Sequence, residues 1–157
     1  MNHYQLGRKG LDAGDLTAAQ NHFQEGLEQG DPRCAYGLVA LAALRGESLE
    51  SPLAHLTHAI PAIQALADQG DADSSFILGR CYETGSSVSQ SIPDALRWYM
   101  QSASLGNSDA MFNLGCIYLS FGPEAERLAL AQFQQAADHG NRDAILALAH
   151  YRKYHRA

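Results

Sequence analysis

The chain has 157 residues, 46% of them hydrophobic, which is enough for one sizeable core and too few to demand two globular domains. Its formal net charge of −6 excludes the broad basic face on which nucleic-acid binding depends. The first ten residues lack an apolar core and a small-residue cleavage site, and the longest apolar stretch, Cys34 to Leu44, is too short to span a bilayer, so a cytoplasmic protein without membrane contact is expected.

A Gly followed by Asp or Asn recurs at Gly30-Asp31, Gly70-Asp71, Gly106-Asn107 and Gly140-Asn141. These pairs divide the chain into approximate repeats 1–30, 31–70, 71–106 and 107–140, with a further helix over 142–155. Eight residues after each of these glycines stands a Leu (Leu38, Leu78, Leu114, Leu148), followed by a small or short residue, and Leu6-Gly7 fits the same register. Units of this length with a small-residue step are what stacked helical hairpins require, because one hairpin cannot bury its apolar face alone. Residues 1–157 therefore read as a single all-α repeat domain.

In chain order, the first repeat places Leu6-Gly7 on helix A and Ala19 with Phe23 one turn apart on helix B. The second carries Leu38-Val39 on helix A. Its helix B keeps Leu53, Leu56, Ile60, Ile63 and Ala67 at helical spacing up to Gly70, about a turn longer than the others, and Pro61 inside it predicts a kink. The third has Leu78-Gly79 with Tyr82, a polar loop over 85–94, then Ala95 with Trp98 and Tyr99. The fourth has Leu114-Gly115 with Tyr118, then Ala129 with Phe133. Asp71, Asn107 and Asn141 each follow a helix-ending Gly and suit the N-cap of the next helix. The helix over 142–155 is expected to cap the array, with its Arg, Lys and His facing solvent; residues 142–157 carry a local +3 and leave −9 for the rest. Cys34, Cys81 and Cys116 each fall in a helix A, and buried free thiols in a reducing compartment are expected.

The stretches Ser74 to Gly85, Asp94 to Ala103 and Ala110 to Tyr118, with Ala136-Ala137 and the closing Gly106 and Gly140, resemble the Sel-one-like repeat family, a branch of the tetratricopeptide-like superfamily. The first repeat resembles an ordinary tetratricopeptide unit more closely, with Gly10 where an aromatic would stand and Gly26 where Ala is usual. In the second, Val39 replaces Gly and Ala42 takes the repeat-Tyr position. The resemblance implies a right-handed α-solenoid of about four antiparallel helix pairs plus a C-terminal capping helix, with a concave face built from the A helices. It also implies a non-catalytic adaptor or scaffold, of a kind common in bacterial signalling, secretion or host interaction.

Two residues before each repeat Leu sits an aromatic: Tyr4, Tyr36, Phe76 and Phe112. A repeated position argues first for a repeated packing role, while in the resembling repeats it borders the concave groove. Two residues after the Leu the chain varies through Arg8, Ala40, Arg80, Cys116 and His150, as a groove with a specific partner would. Arg8, Arg33 and Arg80 place cations in an acidic protein, which suggests a groove for a peptide or partner protein bearing a carboxylate.

Seven histidines offer no local metal spacing: His55 and His58 are three apart, but no H-E-x-x-H pattern is completed. No metal and no cofactor are expected. The motifs of nucleophile elbows, C-x-x-C pairs and phosphate loops are missing, so the reading is not an enzyme but a protein-interaction module. The competing readings are a dedicated inhibitor or immunity protein for one enzyme, a hydrolase built from distant residues, and a monomer or weak homo-oligomer that stacks end to end.

Overall fold

Each closing glycine turns the chain through the left-handed region, with φ of 83°, 88°, 91° and 82° at Gly30, Gly70, Gly106 and Gly140. The residue after it then sends its N–H back to the finished helix: Asp71 to the Leu66 carbonyl (3.0 Å), Asn107 to Ser102 (3.1 Å) and Asn141 to Ala136 (2.9 Å). The same three side chains cap the next helix, accepting from the N–H of Ser74, Ala110 and Ala144 at 2.7, 3.0 and 2.9 Å. One dipeptide thus satisfies the orphan groups of two helix ends. At the first hinge the Asp31 carboxylate turns to Arg33 instead, accepting from its backbone and its guanidinium.

The computed structural model describes residues 1–154, so His155 of the expected capping helix and Arg156 of the basic tail lie outside the described residues. Its helices are α1 (His3–Ala13), α2 (Leu16–Glu28), α3 (Arg33–Arg45), α4 (Glu50–Asp68), α5 (Ala72–Thr84), α6 (Ile92–Ser104), α7 (Ser108–Ser120), α8 (Glu126–Asp138) and α9 (Arg142–Tyr154), with a 3-10 turn at Pro123–Ala125 before α8. Consecutive helices pack together, and α1, α3, α5 and α7 also touch in series, which builds an all-α solenoid with the A helices side by side. The fourth-repeat B helix, α8, also packs on α9. No strand occurs among the described residues.

The small-residue step works through an aromatic from the paired helix. A Cβ on Gly79 would lie 2.5 Å from the Tyr99 ring, and one on Gly115 would lie 2.5 Å from the Phe133 ring, so only glycine lets α5 and α7 sit on their partners. The second repeat replaces this arrangement with Val39 and Ile63, both packed in the same core. α4 has 19 residues, against 13 for most of the others, and runs unbroken through Pro61. Pro61 is exposed, on the solvent side of the helix, where a backbone hydrogen bond lost to the proline costs least.

One core cluster runs from Tyr4 through Phe23, Ile63, Trp98 and Tyr99 to Ile117. A smaller one joins Met111, Ala129, Phe133 and Ala136 to Ala144 and Leu148 of α9. One expectation needs correction: Cys34 and Cys81 are buried free thiols, but Cys116 is exposed. On α9, Arg142, His150, Arg152 and Lys153 face solvent, beside Ile145 at 48% and Leu146 at 67% exposure. α9 is capped by Asn141 as α7 is capped by Asn107.

Candidate functional site

The A helices start side by side, and a ladder of polar side chains ties those starts together. Asn107 donates its amide to Asp73 at 3.3 Å, and Asn141 donates to Asp109 at 2.8 Å. Asp73 and Asp109 each stand two residues after their own helix cap. Arg33 occupies the equivalent place in the second repeat with opposite charge, and donates to Asp71 at 2.9 Å as well as to Asp31. Its guanidinium lies 5.9 Å from the Tyr4 ring centre.

That ladder corrects the view of Arg33 as a cation offered to a partner. Its side chain is 13% exposed and paired with two carboxylates. Arg8 is committed as well, donating to Asp109 at 2.5 Å across a sequence separation of 101 residues and lying over the Phe76 ring at 5.6 Å. Burial lowers its proton affinity, but Tyr4 and Asp109 more than restore it, so it remains charged. Arg80 donates to Glu83 at 3.1 Å and to the Tyr36 hydroxyl at 3.4 Å. A carboxylate ligand would have to displace a carboxylate already present at each of these arginines.

The aromatic series divides in two. Tyr4 is fully buried beside Phe23, and Phe76 is buried between Tyr36 and Tyr99, so both back the wall from behind and neither is presented as an anchor. Tyr36, Ala40 and Phe112 are half-buried, while Cys116 and His150 are exposed. A groove along the whole wall is therefore interrupted: its N-terminal part is bridged by Arg8–Asp109 and filled by Arg80–Glu83.

The structure gathers Phe112, Cys116 and His150 around one open cleft of about 440 Å³ between α7, α8 and α9. Leu119, Leu130, Phe133, Ala147, Tyr151 and Glu126 complete its lining. The Tyr151 hydroxyl donates to the Glu126 carboxylate, which holds the one acidic group of the lining at its edge and raises the phenol's pKa. The Cys116 thiol is raised first by burial and then by Glu83 and Asp143, so it offers a neutral surface and not a thiolate. The cleft's chemistry is apolar contact.

Repeat register explains why the cleft is here. In the third repeat the matching positions hold Arg80, Glu83 and Tyr99, and Tyr99 donates to Glu83 at 2.6 Å. Burial first, and then that carboxylate, push the Tyr99 phenol up. The fourth repeat places Cys116, Leu119 and Phe133 in those positions, which removes the polar filling and leaves a hole. Sequence reading identified Phe112, Cys116 and His150 but missed Leu119 and Leu130. The detectable signal was Leu119, five residues after the repeat Leu, where the third repeat has Glu83. Reading for metal sites missed another grouping: His3, His22 and Glu25, distant from His55 and His58, bring their ligand atoms within 4.8 Å of one another.

The model of the Sel1 repeat matches residues 2–31, 72–107 and 108–141, well over half of the chain. The unmatched stretches are the second repeat, with its long α4, and residues 142–157. A chitin synthase regulatory factor 4 of Schizosaccharomyces pombe is 28% identical over 168 residues, covering 93% of this chain and 26% of that protein. A DAP3-binding cell death enhancer 1 of Rattus norvegicus is 35% identical over 69 residues, covering 43% of this chain and 14% of that protein. The chain thus spans about a quarter or less of the length of these curated relatives. Among solved structures, a Sel1 repeat protein from Oxalobacter formigenes matches with a TM-score of 0.60 and 21% identity, over 98% of this chain and 61% of its own. A protective antigen of uropathogenic Escherichia coli with an SLR fold matches with a TM-score of 0.60 and 24% identity, over 98% of this chain and 33% of its own. Among the described residues no helix is long and apolar enough to cross a membrane. With its fold, its hinge chemistry and three matched repeats in agreement, the chain belongs to the Sel1 repeat family, whose members are generally protein-interaction scaffolds.

Proposed function

We propose that this chain is a non-catalytic protein-interaction module that seats a bulky apolar side chain of a partner protein in the α7–α8–α9 cleft. The observation that carries this reading is the apolar lining of that cleft at a position where the preceding repeat is filled with ion-paired side chains. Pockets that bind anchors combine rigid aromatic walls with exclusion of water, and Phe112 against Phe133, 5.5 Å between ring centres, supplies such a wall. The groups with raised pKa here are thiols, phenols and guanidiniums that keep their protons, which suits contact better than proton transfer.

The test transplants the third-repeat filling into the fourth: Cys116→Arg, Leu119→Glu and Phe133→Tyr together. Affinity capture and crosslinking from native lysate are compared for the wild type, this triple variant and Arg8→Ala. Capture lost in the triple variant and kept in Arg8→Ala supports the cleft. Equal capture by the triple variant overturns it.

A second reading has its own observation. Ile145 and Leu146 present an exposed apolar strip on α9, suited to stacking on another copy of the chain. Light scattering after size exclusion, with Leu146→Glu as the variant, reads this directly: a mass that falls to the monomer in the variant supports stacking, and a monomeric wild type dismisses it.

A further inference from the structure

The first repeat carries a polar cluster away from the cleft, at the opposite end of the array. His3 opens α1, and His22 and Glu25 lie three apart on α2, so both project from one face of that helix. His3 Nδ1 is 3.5 Å from Glu25 Oε2, His22 Nδ1 is 4.0 Å from the same oxygen, and the ring centres are 5.8 Å apart. Both Nδ1 atoms are shut off from solvent, and neither makes a hydrogen bond. A buried nitrogen without a partner is unfavourable, and two of them facing one carboxylate need a common partner. Two protonated imidazoles side by side would repel, so Glu25 cannot serve both rings as an ion pair without cost.

A metal ion satisfies all three groups at once. In a tetrahedral zinc site with ordinary Zn–N and Zn–O bonds of about 2.0–2.2 Å, donor atoms stand roughly 3.3–3.6 Å apart; here the two nitrogen–oxygen distances are 3.5 and 4.0 Å and all three ligand atoms lie within 4.8 Å of one another, so small side-chain rotations close them on an ion. Two imidazoles and one carboxylate suit zinc and its neighbours in the transition series, not calcium or magnesium, which take oxygen donors.

The backbone is shaped for this approach. Gly26 takes the place where Ala is usual in such repeats, and a Cβ there would lie 2.8 Å from His3 Cβ and 2.4 Å from Cys34 Sγ. Only glycine lets His3 settle against α2 beside His22 and Glu25. We infer that His3, His22 and Glu25 bind one divalent transition-metal ion of the zinc class. A fourth position is left toward solvent on the side of Glu25, whose side chain is 56% exposed. The ion fastens α1 to α2 within the first repeat.

The experiment uses the untagged chain, stripped with chelator and then titrated with Zn²⁺ by calorimetry and with Co²⁺ by visible absorption. One ion per chain, tetrahedral Co²⁺ bands and a thermal midpoint that rises with added Zn²⁺ are expected. His22→Ala abolishes the signal, and Glu25→Gln, at an exposed position that does not threaten folding, weakens binding by about tenfold or more. His55→Ala with His58→Ala leaves it unchanged. Wild-type protein that takes up no Zn²⁺ overturns the assignment. Zn²⁺ binding that survives both His22→Ala and Glu25→Gln, or that is lost with His55 and His58, does the same.

Discussion

In the third repeat the Tyr99 ring lies against Gly79, its hydroxyl donates to Glu83, and Glu83 pairs with Arg80. In the fourth, the Phe133 ring lies against Gly115 at the same separation, but no hydroxyl extends from it, and Leu119 and Cys116 replace the ion pair. The helices, hinges and glycine steps are shared. Three side chains decide whether the space between successive A helices is filled by the protein or left open. The frame is thus a property of the repeat, while the site is a property of one copy of it.

The sharpest way to break this contrast is to remove the two rings. Tyr99→Ala should cost about 3–5 kcal/mol, because it empties a fully buried site and also takes the hydroxyl from Glu83. Phe133→Ala should fall nearer the lower end, since the ring already borders an open cleft and water enters the space it leaves. Urea unfolding of both variants reads the difference. Equal costs would mean that the fourth-repeat cleft closes in solution.

Thiol chemistry sharpens the same comparison along the chain. Burial pushes the Cys34 and Cys81 thiols up to about 12, from an ordinary 9.0. Between these values the unfolded chain gives up protons that the folded chain keeps. The stability these thiols contribute is therefore full below pH 9 and lost as pH rises toward 12. Replacing both with Ala should flatten that alkaline decline, measured as urea midpoints at stepped pH. A thiol reagent at neutral pH should modify one cysteine per native chain, Cys116, and reach the other two only on unfolding. Modification of Cys34 or Cys81 in the native state would contradict their burial.

How much of this was legible in the sequence follows from which interactions are local. The hinge pairs, the caps at Asp71, Asn107 and Asn141, and the long α4 are encoded within a few residues of one another, so spacing alone reveals them. The fate of the arginines is not local. Arg8 finds Asp109 only when the solenoid curves enough to bring its first A helix to its fourth, and no period in the sequence encodes that curvature. The same holds for His3 with His22 and Glu25, which a search for ligands on one helix passes over. Cys116 shares its place on an A helix with two buried thiols, so spacing predicts burial, and yet it is exposed: what covers a repeat position is set by neighbouring helices and not by the period.

The smallest expected effect concerns that curvature. Arg8 and Asp109 are 28% and 32% exposed, so water screens their attraction, and a double-mutant cycle with Arg8→Ala and Asp109→Ala should give a coupling of about 0.5–1 kcal/mol. Asp109 also accepts from Asn141, the cap of α9, so Asp109→Ala alone should cost more than Arg8→Ala alone. If the arginine instead acts as a free groove cation, the two substitutions will be additive, and Arg8→Ala will leave unfolding unchanged. A coupling within the expected range would mean that the first and fourth repeats are fastened to each other in solution, so that Arg8 serves the curvature of the array and not a ligand.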